Sequence, residues 1–222
     1  METLKKICSG LRNDEITWYQ ASEMLESYIR LHSSMPNLSK FNWFKYVSLD
    51  RFSINNPLHG VFFENGYKIA CNGYVILKLK NSYSKDVEGK IIDKNGAIID
   101  SKYVNYKSVL PIINKNDKEV LIDIKILKNK VRESKMNKKV LQIKDKNELI
   151  IKIHNQYYIT NHVELMVNAY DKIKNPKIYF KSQDFNDEPK NIFIVGDNGV
   201  FLLMSMFKET ILESSDYNIV EY

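Results

Sequence analysis

The sequence predicts an α+β protein built on antiparallel sheets, and three observations carry that reading. Short apolar runs from Gly60 onward are punctuated by Asn-Gly at 65/66, 72/73, 95/96 and 198/199, the dipeptide that best tolerates the positive φ of tight hairpin turns. Residues 124–136 carry a helical apolar period. From Val120 the elements follow a regular order, β-α-β-β-(β)-α-β-β-β.

Taken in order, Thr17-Trp-Tyr-Gln20 has the capping-box pattern, and Trp18, Ala21, Leu25, Tyr28 and Ile29 fall on one helical face. This predicts a helix over about 18–32 that ends near Pro36. Residues 41–47 are too short and aromatic a run to assign. An antiparallel meander follows from Gly60, then an apolar stretch at 119–124, a helix at 124–136, and a strand pair formed by 139–144 and 148–154. Asn161-x-x-Glu164 can cap a second helix to about Ile173, and strands near 177–182, 190–195 and 200–206 complete the chain. No low-complexity segment, linker or strong internal repeat interrupts this order.

With 222 residues, 44% of them hydrophobic and 12% aromatic, the chain can bury a core as one large domain or two small ones. No run approaches the length of a membrane span, and Met-Glu-Thr-Leu-Lys-Lys at the start lacks the apolar stretch of a signal peptide, so cytoplasmic residence is expected. Cys8 and Cys71 lack the paired spacing of a zinc site and are expected to be reduced and buried. The net charge of +6 is uneven. Basic residues exceed acidic ones by 12 to 6 over 108–160, whereas 161–222 holds 6 against 10. A central basic stretch followed by an acidic one suits a protein that meets polyanions with one surface.

Catalytic constellations are not assembled by this sequence. His32, His59, His154 and His162 share no metal-ligand spacing, and Asp184-Phe-Asn-Asp-Glu188 lacks the alternating oxygen ligands and the glycine of a calcium loop. Gly196-Asp-Asn-Gly199 reads as a turn, and no nucleophile elbow, phosphate loop or dinucleotide fingerprint occurs. The expectation is a protein that is not an enzyme and needs neither metal nor cofactor.

The residues that point outward are more informative. In the predicted helix over 124–136, Ile124, Leu127 and Val131 form one stripe, and Lys125, Lys128, Arg132 and Lys135 form another beside it. Lys138 and Lys139 extend this basic ridge, and Lys172 and Lys174 beyond the second helix can join it. Near the end, Met204 and Met206 sit two apart on a predicted strand and share a face, with Phe207 beside them. Methionine adapts to varied peptides, so this is a candidate partner-binding surface.

Four blocks lie in the order found in DNA sliding clamps of the bacterial replicase type. Ala70-Cys-Asn-Gly-Tyr-Val-Ile-Leu77 resembles the family's Ala-Thr-Asp-Gly block, and Tyr103-Val-Asn-Tyr-Lys-Ser-Val-Leu-Pro111 its interdomain junction. Tyr158-Ile-Thr-Asn-His-Val-Glu-Leu-Met-Val167 is similar to a later helical segment, and Phe201-Leu-Leu-Met-Ser-Met-Phe207 to the closing strand. The resemblance implies a clamp-like fold with helices packed on one face of the sheets. One complete clamp-type domain would span 108–207, a partial or divergent one 1–107, and an acidic tail 208–222. It also implies a processivity factor that surrounds duplex DNA through backbone contacts and tethers a DNA polymerase or other replication protein. Clamp rings contain six domains, so two per chain would imply a homotrimer. Ser205 and Phe207 stand where the family has Pro and Arg, and no clear second helix lies between Tyr83 and Tyr103. These departures support an alternative, a clamp-derived interaction module that does not encircle DNA.

Overall fold

A computed structural model describes residues 2–13, 15–25, 41–48, 56–114, 117–137, 141–143, 146–154, 156–182, 190–205 and 220–221. The chain forms two compact units, one of residues 1–72 with 80–104 and the other of 73–79 with 105–222. The divide at 104/105 falls inside the Tyr103–Pro111 block.

The first unit opens with helix α1 (Glu2–Arg12), which the sequence reading did not foresee. A second helix, α2, is described over 18–25. Its capping box forms as expected, with the Gln20 amide donating to Thr17 Oγ1 at 3.2 Å and the Thr17 amide to Gln20 Oε1 at 2.8 Å. The apolar stripe of α2 does not behave as expected. Of its described members only Ala21, the smallest, is buried, while Trp18 is 81% exposed and Leu25 39%. The end of this helix and the expected stop at Pro36 lie outside the described residues. Cys8 is also exposed, against expectation, because it falls on the outer side of α1 from buried Ile7; Cys71 is buried in a strand.

Strands β1 (Gly60–Glu64), β2 (Tyr67–Cys71), β4 (Ile91–Asp93) and β5 (Ile98–Ile99) give this unit an antiparallel sheet in the order β2-β1-β4-β5. Asn65 and Gly66, at φ 52° and 78°, make the two-residue turn that the sequence marks. Its amides are tied down, that of Asn65 donating to Glu88 Oε1 at 2.7 Å and that of Gly66 to Tyr83 Oη at 2.8 Å. At 95/96 only Gly96 takes positive φ, at 86°, and the loop is organised by Asp93, whose carboxylate accepts from the Asn95 and Ala97 amides. One lysine is out of its usual place. Lys68 is buried with its Nζ 5.8 Å from the centre of the Phe63 ring, and burial pushes its pKa down.

The second unit holds strands β10 (Lys177–Ser182), β11 (Lys190–Gly196), β12 (Gly199–Leu203) and β3 (Val75–Lys80), all antiparallel in that order. The β3–β12 pairing brings residues 75–79 against 199–203. Gly199 permits it, since a Cβ there would lie 2.3 Å from the Lys78 carbonyl oxygen. The turn between β11 and β12 is made by Asp197 and Asn198, with Gly196 opposite Gly199, so the Asn-Gly pair is shifted by one residue from the turn the dipeptide suggests.

Helix α3 (Ile124–Asn137) starts at Asp123, whose carboxylate accepts from the Lys125 and Ile126 amides. The stretch before it is not a strand. It is tied to β10 by the Val120 amide, which donates to the Ile178 carbonyl at 2.8 Å. The expected pair of long strands at 139–144 and 148–154 is replaced by two hairpins, because the chain turns twice. One consists of β6 (Leu141–Ile143) with β7 (Lys146–Glu148), the other of β8 (Ile150–Ile153) with β9 (Gln156–Ile159). Helix α4 (Thr160–Tyr170) follows without an Asn161 cap. Its N-cap is Ile159 with no side-chain cap bond, and the Thr160 hydroxyl bonds instead to Ser134. Strand β13 (Val220–Glu221) lies parallel to β8, with Val220 opposite Ile151, and also beside α3. Helix α4 packs on β12 and β9, while α3 packs on α4 and β8.

Candidate nucleic-acid interface

On α3 the 3.6-residue period sorts side chains by direction. Leu127, Val131 and Ser134 are buried, and Ile124, expected in the same stripe, is half-buried. Lys125, Lys128 and Arg132 are all exposed on the neighbouring face, at spacings of three and four. Among the described residues none of the three has a carboxylate partner. Lys130, on a different face, pairs with Glu133 at 3.3 Å.

Lys135 differs from the rest of the ridge. Its Nζ lies 2.7 Å from Glu164 Oε2 on α4, and both side chains are partly covered. One helical turn earlier in the contact, Ser134 Oγ and Thr160 Oγ1 are 2.9 Å apart and fully buried. The C-terminal turn of α3 is therefore fastened to the start of α4, and Lys135 serves that join with its charge offset. Lys138 and Lys139 lie outside the described residues.

Helix α4 contributes no cation along its length. Lys172 and Lys174 are exposed in the turn after it, about 16 Å of helix away from the Ser134–Thr160 contact. Their backbone is held by Asn198, which donates to the Lys172 carbonyl at 3.0 Å and accepts from the Lys174 amide at 2.7 Å. They form a second basic spot rather than an extension of the α3 ridge.

At the other candidate surface Met204 is half-buried, its amide donating to the Tyr74 carbonyl at 2.9 Å. The Tyr74 ring is stacked on His162, centroids 5.2 Å apart at 24°. Burial pushes the His162 pKa down to about 4, so the imidazole is neutral at neutral pH. Asn191 Oδ1 accepts from the Ser205 amide at 3.1 Å. Met206 and Phe207 lie outside the described residues. Sequence reasoning did not find Tyr74 and His162 together, since nothing local links residues so far apart in the chain; nor did it pair Lys135 with Glu164.

A sheet of four antiparallel strands, a smaller sheet, and two helices laid side by side with a row of cations on one of them define a clamp-type α+β unit. The chain shares the fold of bacterial DNA polymerase III beta subunits. A Caulobacter crescentus pol III beta structure superposes with a TM-score of 0.50 at 11% identity, covering 82% of this chain and 64% of that one. A C. crescentus beta sliding clamp with PEG bound gives a TM-score of 0.51 at 10% identity, covering 73% and 61%. The chain thus spans less than two thirds of the length of these two clamp chains. No family model and no curated protein matches the sequence. No helix among the described residues is long and apolar enough to cross a membrane.

Proposed function

We propose that the chain is a sliding-clamp-like processivity factor of the cytoplasm that binds duplex DNA without reading its sequence and performs no bond chemistry of its own. The observation that carries this reading is the row of Lys125, Lys128 and Arg132, exposed and without carboxylate partners among the described residues, on a helix of a clamp-type unit. Ammonium and guanidinium groups spaced along one helix face neutralise phosphates while leaving base edges untouched. Lys138, Lys139, Lys172 and Lys174 would add to the same field. Residues 108–207, completed by the strand from 73–79, would be the full clamp domain, and residues 1–107 the divergent one. Met204, Met206 and Phe207 would receive a polymerase or other replication protein, and three chains would close a six-domain ring.

Retention on DNA tests the topological part. Protein incubated with a nicked circular duplex should stay bound at about 0.5 M salt, where simple backbone contacts are lost, and should be released when the circle is linearised. Equal release from circle and linear duplex would eliminate the ring. A mass in solution other than three times the 26.1 kDa chain would eliminate the trimer. A second reading, an interaction module that does not encircle DNA, draws support from Lys135, whose charge is offset by Glu164, and from α4, which lacks cations.

A further inference from the structure

Strand β10 is the end strand of its sheet, so one of its long edges has no strand beside it. In the pairing with β11, Ile178 stands opposite Ile194, and the Ile178 carbonyl accepts from the Val120 amide at 2.8 Å. That carbonyl points out of the sheet's edge. By the two-residue alternation of an antiparallel ladder, the amides and carbonyls of Phe180 and Ser182 point the same way. An edge of this kind is a template for another strand.

The residues before α3 lie along this edge. Asp117 pairs with Lys181 at 2.7 Å, both side chains largely covered, and Val120 reaches Ile178. The contact points are thus three residues apart on each segment and run in opposite directions, the register of an antiparallel pair. Lys181 Nζ also donates to the Ile112 carbonyl at 2.6 Å, and the Asp117 carboxylate accepts from the Asn114 amide at 2.6 Å. These two donors, Lys181 foremost, hold the Asp117 carboxyl below the usual carboxylate range. Glu119 adds a longer pair with Lys177 at 3.5 Å, on the same face of β10 as Lys181.

We propose that residues 112–114 and 117–120 are an edge guard, fastened mainly by side-chain charge, that keeps β10 from pairing with the β10 of a second copy. Among the described residues the guard gives β10 one backbone bond, so it covers the ladder without extending the sheet. Its own sequence there, Asp117-Lys-Glu119, is charged and discourages a further strand. Large apolar side chains sit at both ends, Ile112 at 81% and Leu121 at 88% exposed. A lifted guard leaves them beside an open ladder, an arrangement that favours association with another chain. The guard depends neither on DNA binding nor on a ring.

D117N/V120P removes the ion pair and the amide donor while leaving β10 itself intact. Sedimentation velocity of the full chain should show species heavier than the wild type that build up with concentration, with a Kd below about 0.1 mM. D117N alone, which leaves the backbone untouched, should speed hydrogen exchange at the Val120 amide about tenfold. Met166→Ala loosens the core without touching β10 and should keep the wild-type mass while folded. Equal mass for wild type and folded D117N/V120P, association in Met166→Ala as well, or unchanged Val120 exchange in D117N would each overturn the guard.

Discussion

Helices α3 and α4 lie side by side in one unit yet divide their work. In α4 six of eleven residues are buried, among them Val163, Met166 and Ala169, and no cation interrupts it. In α3 the buried set shrinks to Leu127, Val131 and Ser134, and the remaining faces carry four lysines and an arginine. The difference teaches that one helix can be almost entirely a packing element and its neighbour almost entirely a surface. Substitutions in the two should fail in different assays.

The largest effect is expected where packing dominates. Met166→Ala should cost about 3 kcal/mol of stability, the range for emptying a fully buried site. Denaturant titration reads this directly, and a change under 1 kcal/mol would mean that α4 is not the anchor. Neutralising the ridge with K125Q/K128Q/R132Q should leave the unfolding midpoint within about 0.5 kcal/mol, since exposed sites contribute little. It should still lower the slope of log affinity against log salt for duplex by about 3. A loss of stability comparable to that of Met166→Ala would collapse the contrast between the helices.

His162 sharpens the comparison from the side of α4. Its folded pKa, pushed down to about 4, lies below the unfolded value, so the unfolded chain binds more protons in between. Stability should therefore fall as pH drops from about 6.5 towards 4, by roughly 3 kcal/mol at most. His162→Gln should flatten that part of the profile in pH-dependent melting, and an unchanged slope would assign it to other groups. The smallest effect belongs to the join. Glu164→Gln should cost under about 1 kcal/mol, as for a part-exposed ion pair. By releasing the Lys135 charge it should raise duplex affinity slightly, a shift that titration at low salt would resolve.

What the sequence made legible was local. The Asn65-Gly66 turn, the Thr17 capping box, the span of α3 and the three strands from Lys177 onward all depend on residues within a few positions of one another. Its misses were set by contacts at a distance. Asn161 does not cap α4, because the helix already begins at Thr160, whose hydroxyl finds a buried partner in Ser134. Trp18 stands exposed because helical periodicity reports which residues share a face, not whether anything covers it. The exposed lysines of the ridge were correctly grouped by spacing. The Glu164 carboxylate that occupies Lys135 comes from another helix, and spacing could not reveal it. The acidic tail was visible as composition, but the pairing of Val220 with Ile151 joins residues far apart in the chain and no local pattern announces it.

The strand formed by Val75–Lys80 belongs with residues near the other end of the chain, 199–203. During synthesis it leaves the ribosome about 120 residues before its partner, which at 5–20 residues per second is roughly 6–24 s of waiting. Throughout that interval Val75, Ile76 and Leu77, all buried in the finished protein, have no β12 to pair with. A nascent chain paused before residue 199 should thus be a client for chaperones that bind extended apolar segments. For the same reason a gene cut at 107/108 would separate β12 from β3 and leave the second unit's sheet without one of its strands.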